Sequence, residues 1–119
     1  MGYKVNGTTI QITRGDTGYF KFTPYTVNAG GTRTEYVCQS GDSIRFAMKK
    51  KLSDSYQILV TKNVDTSTFQ MRLEPEDTSG LAFGTYYYDV QLTTAGGDVD
   101  TYIPETGMVA EFIIEKEVD

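Results

Sequence analysis

The sequence predicts an all-β sandwich of about seven or eight short antiparallel strands, with one short helical turn near residues 75–80. Three observations carry that expectation. Apolar residues recur at every second position in many short runs, turn-forming Gly, Asn, Asp and Pro interrupt those runs, and no long helical period is present. The composition agrees, with nine Tyr and six Phe in 119 residues and frequent Thr and Val. The clearest run is Gly84–Leu92, where Tyr86, Tyr88, Val90 and Leu92 alternate with Thr85, Tyr87, Asp89 and Gln91. A strand of this kind buries one face, and a second sheet must cover it. A barrel is the alternative closure. Residues 1–119 suit one domain, because two would each be too small to hold a core.

The remaining elements follow in chain order. Thr8–Thr13 alternates Ile10 and Ile12 with polar residues after an Asn6-Gly7 turn, and its shortness suggests a sheet edge. Arg14-Gly15-Asp16-Thr17 makes a turn, since Gly reaches positive φ and the Asp carboxylate accepts backbone N–H groups. Tyr19–Tyr25 resumes the alternation with Phe20 and Phe22 on one face and Tyr19 and Lys21 on the other, and Pro24 ends its place in a sheet interior. Residues 28–32, Asn-Ala-Gly-Gly-Thr, form a flexible connection, and Glu35–Gln39 is an ambiguous strand. Gly41-Asp42-Ser43 repeats the Gly-Asp turn before a strand with Ile44, Phe46 and Met48 inward and Arg45, Ala47 and Lys49 outward.

Lys50–Ser55 is a polar hairpin loop with Leu52 its one apolar exception, and Tyr56–Thr61 is a strand with either Ile58 and Val60 or Leu59 inward. Residues 63–65 turn the chain into Thr68–Leu73, with Phe69, Met71 and Leu73 inward. Pro75 followed by Glu76 and Asp77, with Gly80 beyond, suits the helical turn: Pro sets φ and the acids sit at the positive end of the peptide dipoles. This turn crosses between the sheets. Residues 94–98 turn Gly84–Leu92 into a hairpin with Val99–Ile103, Pro104–Gly107 interrupts it, and the last strand lies in Met108–Val118 with Phe112 and Ile114 as its core face.

Composition excludes several functions. The chain has no His, so serine-type triads and the usual zinc sites lack a necessary ligand or base, and no cofactor is expected. Glu74, Glu76 and Asp77 cluster where a helix end accounts for them, which argues against a carboxylate dyad enzyme. Asp98, Asp100 and Glu105 offer oxygens to Ca²⁺, but at no recognised ligand spacing, and exposed hairpin acids are the ordinary outcome. Cys38 has no internal disulfide partner and no His to activate it. A net charge of −5 argues against general nucleic-acid binding. Lys49-Lys50-Lys51 reads as a solubilising edge.

No apolar run is long enough for a membrane span, and the first residues lack the pattern of a secretion signal, so neither membrane insertion nor export is expected. Met1-Gly2 lacks the Ser or Thr that myristoylation requires, because Asn6 stands there. Arg14-Gly15-Asp16 matches an integrin-binding tripeptide, yet it falls where a turn is needed. Tyr is enriched in contact surfaces because it offers area at small entropic cost, so Tyr19, Tyr87 and Tyr102 are expected to mark a binding face. Coverage of that face by the chain's own loops accounts for them equally well.

Asp77, Gly80 and the run Gly84-Thr85-Tyr86-Tyr87-Tyr88 together resemble the tyrosine corner of immunoglobulin-like domains, with Leu81-Ala82-Phe83 as a departure from antibody spacing. The resemblance implies an immunoglobulin-like architecture. A wider succession comprises Ile12–Thr17, Gly41–Phe46 with Lys49-Lys50, Leu73–Thr78, Gly84–Leu92 and Thr101–Pro104. It resembles small tail or baseplate proteins of phages and prophages of Gram-positive bacteria, and is similar in layout to the N-terminal domain of the baseplate upper protein. That resemblance implies a non-catalytic virion module, made in the bacterial host cytoplasm, whose partners are other virion proteins or further copies of itself. It would dock through strand edges and a tyrosine-bearing face. A carbohydrate-binding or adhesin-like sandwich, with tyrosines as sugar platforms, is the alternative.

Overall fold

A computed structural model describes residues 2–53 and 55–117. It is an all-β sandwich, with eleven strands and one short helix among those residues. The chain begins with a hairpin, β1 (Tyr3–Asn6) and β2 (Thr9–Thr13), turned at Gly7. β3 (Gly18–Lys21) enters the second layer, and a small hairpin of β4 (Tyr25–Val27) and β5 (Arg33–Glu35) follows. β6 (Ser43–Lys49) and β7 (Ile58–Val64) return to the first layer, and β8 (Gln70–Leu73) pairs with β3. The helix α1 (Pro75–Ser79) crosses back to β9 (Gly84–Thr93), and β10 (Val99–Ile103) and β11 (Glu111–Glu115) complete the fold.

The larger sheet runs β1-β2-β11-β9-β6-β7. β9 lies at its middle. One flank of β9 pairs with β6 along most of its length; the other is shared, with β11 opposite Gly84–Tyr87 and β10 opposite Val90–Thr93. All pairs are antiparallel except β2 with β11, which run parallel. β2 is therefore an interior strand, contrary to the expected edge, because Tyr3–Asn6 supplies a further strand outside it.

The core lies between this sheet and β3–β8. Tyr86, Tyr88, Val90 and Leu92 of β9 are buried, as their alternation requires, together with Ile44, Phe46 and Met48 of β6 and Phe112 and Ile114 of β11. Phe20, Phe22, Met71 and Leu73 close the space from the other layer. Ring centroids of Phe22 and Phe46 stand 6.0 Å apart, those of Phe46 and Tyr88 5.3 Å, and Phe112 meets Tyr88 edge-on at 6.4 Å. Offset and edge-on geometry favours such rings beyond the gain from burying them, which is roughly 1.5–3 kcal/mol per large side chain.

Two tyrosine hydroxyls reach out of that core to backbone oxygens. Tyr86 donates to the Ala82 carbonyl at 2.7 Å, and Tyr88 to the Thr8 carbonyl at 2.6 Å. α1 is stopped from fraying by the Glu74 N–H, which donates to Asp77 Oδ2 at 2.7 Å. Its buried Thr78 accepts the Gly15 N–H at 2.8 Å, tying the crossing to the first Gly-Asp turn. Both Gly-Asp turns have the positive φ expected, +82° at Gly15 and +92° at Gly41. Asp42 uses its carboxylate differently from the forward turn expected of such acids: it accepts N–H groups from Gln39 behind it and from Ala95 across the molecule.

Other boundaries differ from the sequence expectation. The ambiguous Glu35–Gln39 is mostly loop, and the strand lies earlier, at Arg33–Glu35. β7 extends through Asn63 and the buried Val64, so the turn falls on the residues after Asp65, whose carboxylate accepts the N–H groups of Ser67 and Thr68. Val60 faces the core, whereas Ile58 and Leu59 are exposed. The loop expected at Lys50–Ser55 and the last strand expected within Met108–Val118 each include a residue outside the described ones, Asp54 and Val118.

Candidate functional site

The outward residues of β6 and β9 form the floor of a cleft of about 430 Å³. Cross-strand pairing sets their rows: Lys49 stands beside Tyr87, Ala47 beside Asp89, and Arg45 beside Gln91. Ala47 has no side chain long enough to fill its place, so a hollow is left between Arg45 and Lys49. It is only 7 % exposed although it faces away from the core. The β10–β11 connection overhangs one side with Met108 and Val109, and Leu52 and Ile58 rise on the other. Met108 is 66 % exposed, and Val109, Leu52 and Ile58 are also exposed. A cluster of exposed apolar side chains rimmed by charges is the usual composition of a contact surface.

Asp89 is the electrostatic centre of the cleft. Its Oδ1 is buried, lies 3.6 Å from Arg45 Nη2, and has no hydrogen-bond partner among the described residues. Arg45 instead gives its hydrogen bond to Gln91 Oε1 at 2.8 Å, and Gln91 donates onward to Thr101. Burial pushes the Asp89 carboxyl above its ordinary value, against the pull of Arg45 and Lys49. A partly desolvated acid without a donor costs stability in the isolated chain, so a donor brought from outside would gain more here than at an open surface.

The three tyrosines expected to share a binding face stand on different surfaces. Tyr87 lies in the cleft. Tyr19 is 50 % exposed on the outward side of β3, with the Arg72 guanidinium 5.6 Å from its ring centre, so it belongs to the other layer. Tyr102 is half-buried against the core and donates its hydroxyl to the Phe22 carbonyl at 2.7 Å. Thr101 already takes the outward place on β10, opposite Gln91, which turns Tyr102 the other way.

The other motifs are absorbed by the fold. Arg14 donates to both carboxylate oxygens of Glu117 and to the Leu81 carbonyl, and its guanidinium lies 4.1 Å from the Phe83 ring centre. Lys50 reaches the Thr85 carbonyl at 3.3 Å and covers the Tyr86 ring. Glu105 pairs with Arg33 at 2.7 Å. No group of three or more His, Cys, Asp or Glu among the described residues is placed to hold a metal ion, and no helix among them is long and apolar enough to cross a membrane.

The sheet edges bear on docking as well. β7 is an outer strand, and its Lys62 points toward the second layer, where it pairs with Asp77 at 2.9 Å. An inward charge on an edge strand opposes pairing with another chain's strand. The open face is therefore better suited to contact than this edge.

The alternation of β9 contained a signal for the cleft, since Asp89 is the acid on its outward side. The alternation of β6 likewise marked Arg45, Ala47 and Lys49 as outward, whereas nothing in the sequence joined Leu52, Ile58, Met108 and Val109 to them, because only the folded chain brings these around Tyr87. The fold and site together define an all-β sandwich with an apolar, charge-lined cleft on one outer face. No protein-family model matches the chain, and no curated protein matches it.

Proposed function

We propose that this chain is a non-catalytic structural module of a phage or prophage tail or baseplate, acting as a protein–protein assembly unit. The observation that carries the reading is the cleft around Tyr87, where exposed Leu52, Ile58, Met108 and Val109 surround the small Ala47 and the buried Asp89 Oδ1, which has no donor among the described residues. The resemblance carried by the motif succession from Ile12–Thr17 to Thr101–Pro104 supports the particle context, a virion assembled in a bacterial host. The bond from Tyr86 to the Ala82 carbonyl supports an immunoglobulin-like form of the sandwich, since a tyrosine corner closes in that manner.

A carbohydrate-binding or adhesin-like module draws less support. A sugar platform needs neighbouring rings, and Tyr19, Tyr87 and Tyr102 do not share a surface. Co-expression with the products of adjacent reading frames tests the assembly reading. The chain is expected to co-purify with one of them, and Tyr87→Asp to abolish this while leaving the thermal midpoint within about 2 °C. Co-purification unaffected by Tyr87→Asp, or absent with every neighbour, would overturn it.

A further inference from the structure

Building on the docking role of the cleft, we propose that its occupant is a second copy of this chain, joined face to face about a two-fold axis. A two-fold contact is isologous, so one patch must carry each feature together with its complement. This patch does so in its charges. It holds a cation, Lys49, and an anion, Asp89, whose ion pair with Arg45 is a loose 3.6 Å and includes no hydrogen bond to Oδ1 among the described residues. Lys49 makes no hydrogen bond or ion pair among the described residues, and Asp89 Oδ1 is buried without a donor.

The sheet register fixes how these could exchange. Lys49 pairs across strands with Tyr87, and Ala47 with Asp89, which puts Lys49 and Asp89 one diagonal step apart on the same face. A half-turn about an axis lying in the contact plane, midway between them and across the line that joins them, lays Lys49 of each copy over Asp89 of the other. Facing sheets stand roughly 10 Å apart, a gap that a lysine and an aspartate side chain span together. A partner of one strong sign would meet a like charge, since Arg45, Lys49 and Asp89 are interleaved here. A second copy brings the same mixed set in matching order.

Sedimentation velocity over a concentration series tests this. The wild-type chain is expected to pass from monomer to dimer. Lys49→Glu and Asp89→Lys each place like charges at both contacts, and each is expected to weaken self-association by about tenfold or more. Mixed together, they are expected to form a heterodimer of near wild-type strength, because both of its contacts again join opposite charges. A pairing confined within one chain cannot give recovery on mixing. Met108→Asp, on an exposed loop, should yield monomer with an unchanged thermal midpoint. A wild-type chain monomeric throughout, or a mixture that stays monomeric, overturns the second-copy assignment. If the wild type is monomeric but Tyr87→Asp still loses a neighbouring protein, this inference fails and the assembly reading stands. If the dimer forms as described and capture of neighbours ignores Tyr87, the assembly reading fails instead.

Discussion

Replacing Tyr86 by Phe removes one oxygen from the place where the crossing segment meets β9. The ring is 3 % exposed, and its hydroxyl donates to the Ala82 carbonyl at 2.7 Å. Phe fills the same volume and keeps the ring beneath Lys50 Nζ, 4.4 Å from its centre, so the difference isolates the hydroxyl. Loss of a hydrogen bond of this kind costs about 1–2 kcal/mol, held to that range because Ala82 is exposed and water can replace part of it. Unfolding entropy of roughly 2.1 cal/mol/K per residue gives about 0.25 kcal/mol/K for this chain, so the thermal midpoint should fall by about 4–8 °C. Calorimetry beside a Tyr87→Phe control measures it. The control should shift by less than about 2 °C, since Tyr87 faces the cleft. A Tyr86→Phe midpoint unchanged within error would refute the claim that this hydroxyl fastens the crossing.

Other perturbations probe separate parts of the molecule. Burial holds the hydroxyls of Tyr88 and Tyr102 well above the ordinary tyrosine value. The unfolded chain releases these protons from about pH 10 while the folded chain keeps them, so stability should fall above pH 10, by about 3 kcal/mol per pH unit from the two groups together. Denaturation midpoints flat from pH 9 to 11 would contradict this. Gly41→Ala places a Cβ 2.8 Å from that of Ala95 at φ +92°, and should cost about 1–3 kcal/mol in chemical denaturation; no loss would show the turn to be pliable. Lys62→Val removes the inward charge of the edge strand and the partner of Asp77, and light scattering should show more aggregation than for wild type. Asp89→Asn relieves a carboxylate that burial disfavours, so it should leave stability equal or slightly higher at pH 7, and a marked loss would show the ionised form to be favoured in the fold.

Strand periodicity made the two layers legible, because each inward residue of β6, β8, β9 and β11 was marked by its alternation, from Ile44 to Ile114. Gly15 and Gly41 marked their turns for a local steric reason. What escaped was tertiary in origin. Tyr3–Asn6 has no buried alternation of its own and becomes a strand by pairing with β2. β4 and β5 are short and wholly exposed, so no burial pattern announced them. Tyr102 carries no sequence sign of facing inward, since the irregular register near Thr101 and Ile103 turns it. The floor of the cleft was legible in the outward residues of β6 and β9, Arg45, Ala47, Lys49, Tyr87 and Asp89, whereas its apolar rim comes from segments far apart in the chain.

Hydroxyl-radical footprinting of the chain, free and within its assembly, most directly tests whether the face around Tyr87 is where this protein meets its partner. Tyr87 and Met108 are predicted to lose reactivity on assembly, while Tyr19 and Tyr25, exposed elsewhere, keep theirs. Unaltered reactivity at Tyr87 and Met108, with protection at Tyr19, would contradict it.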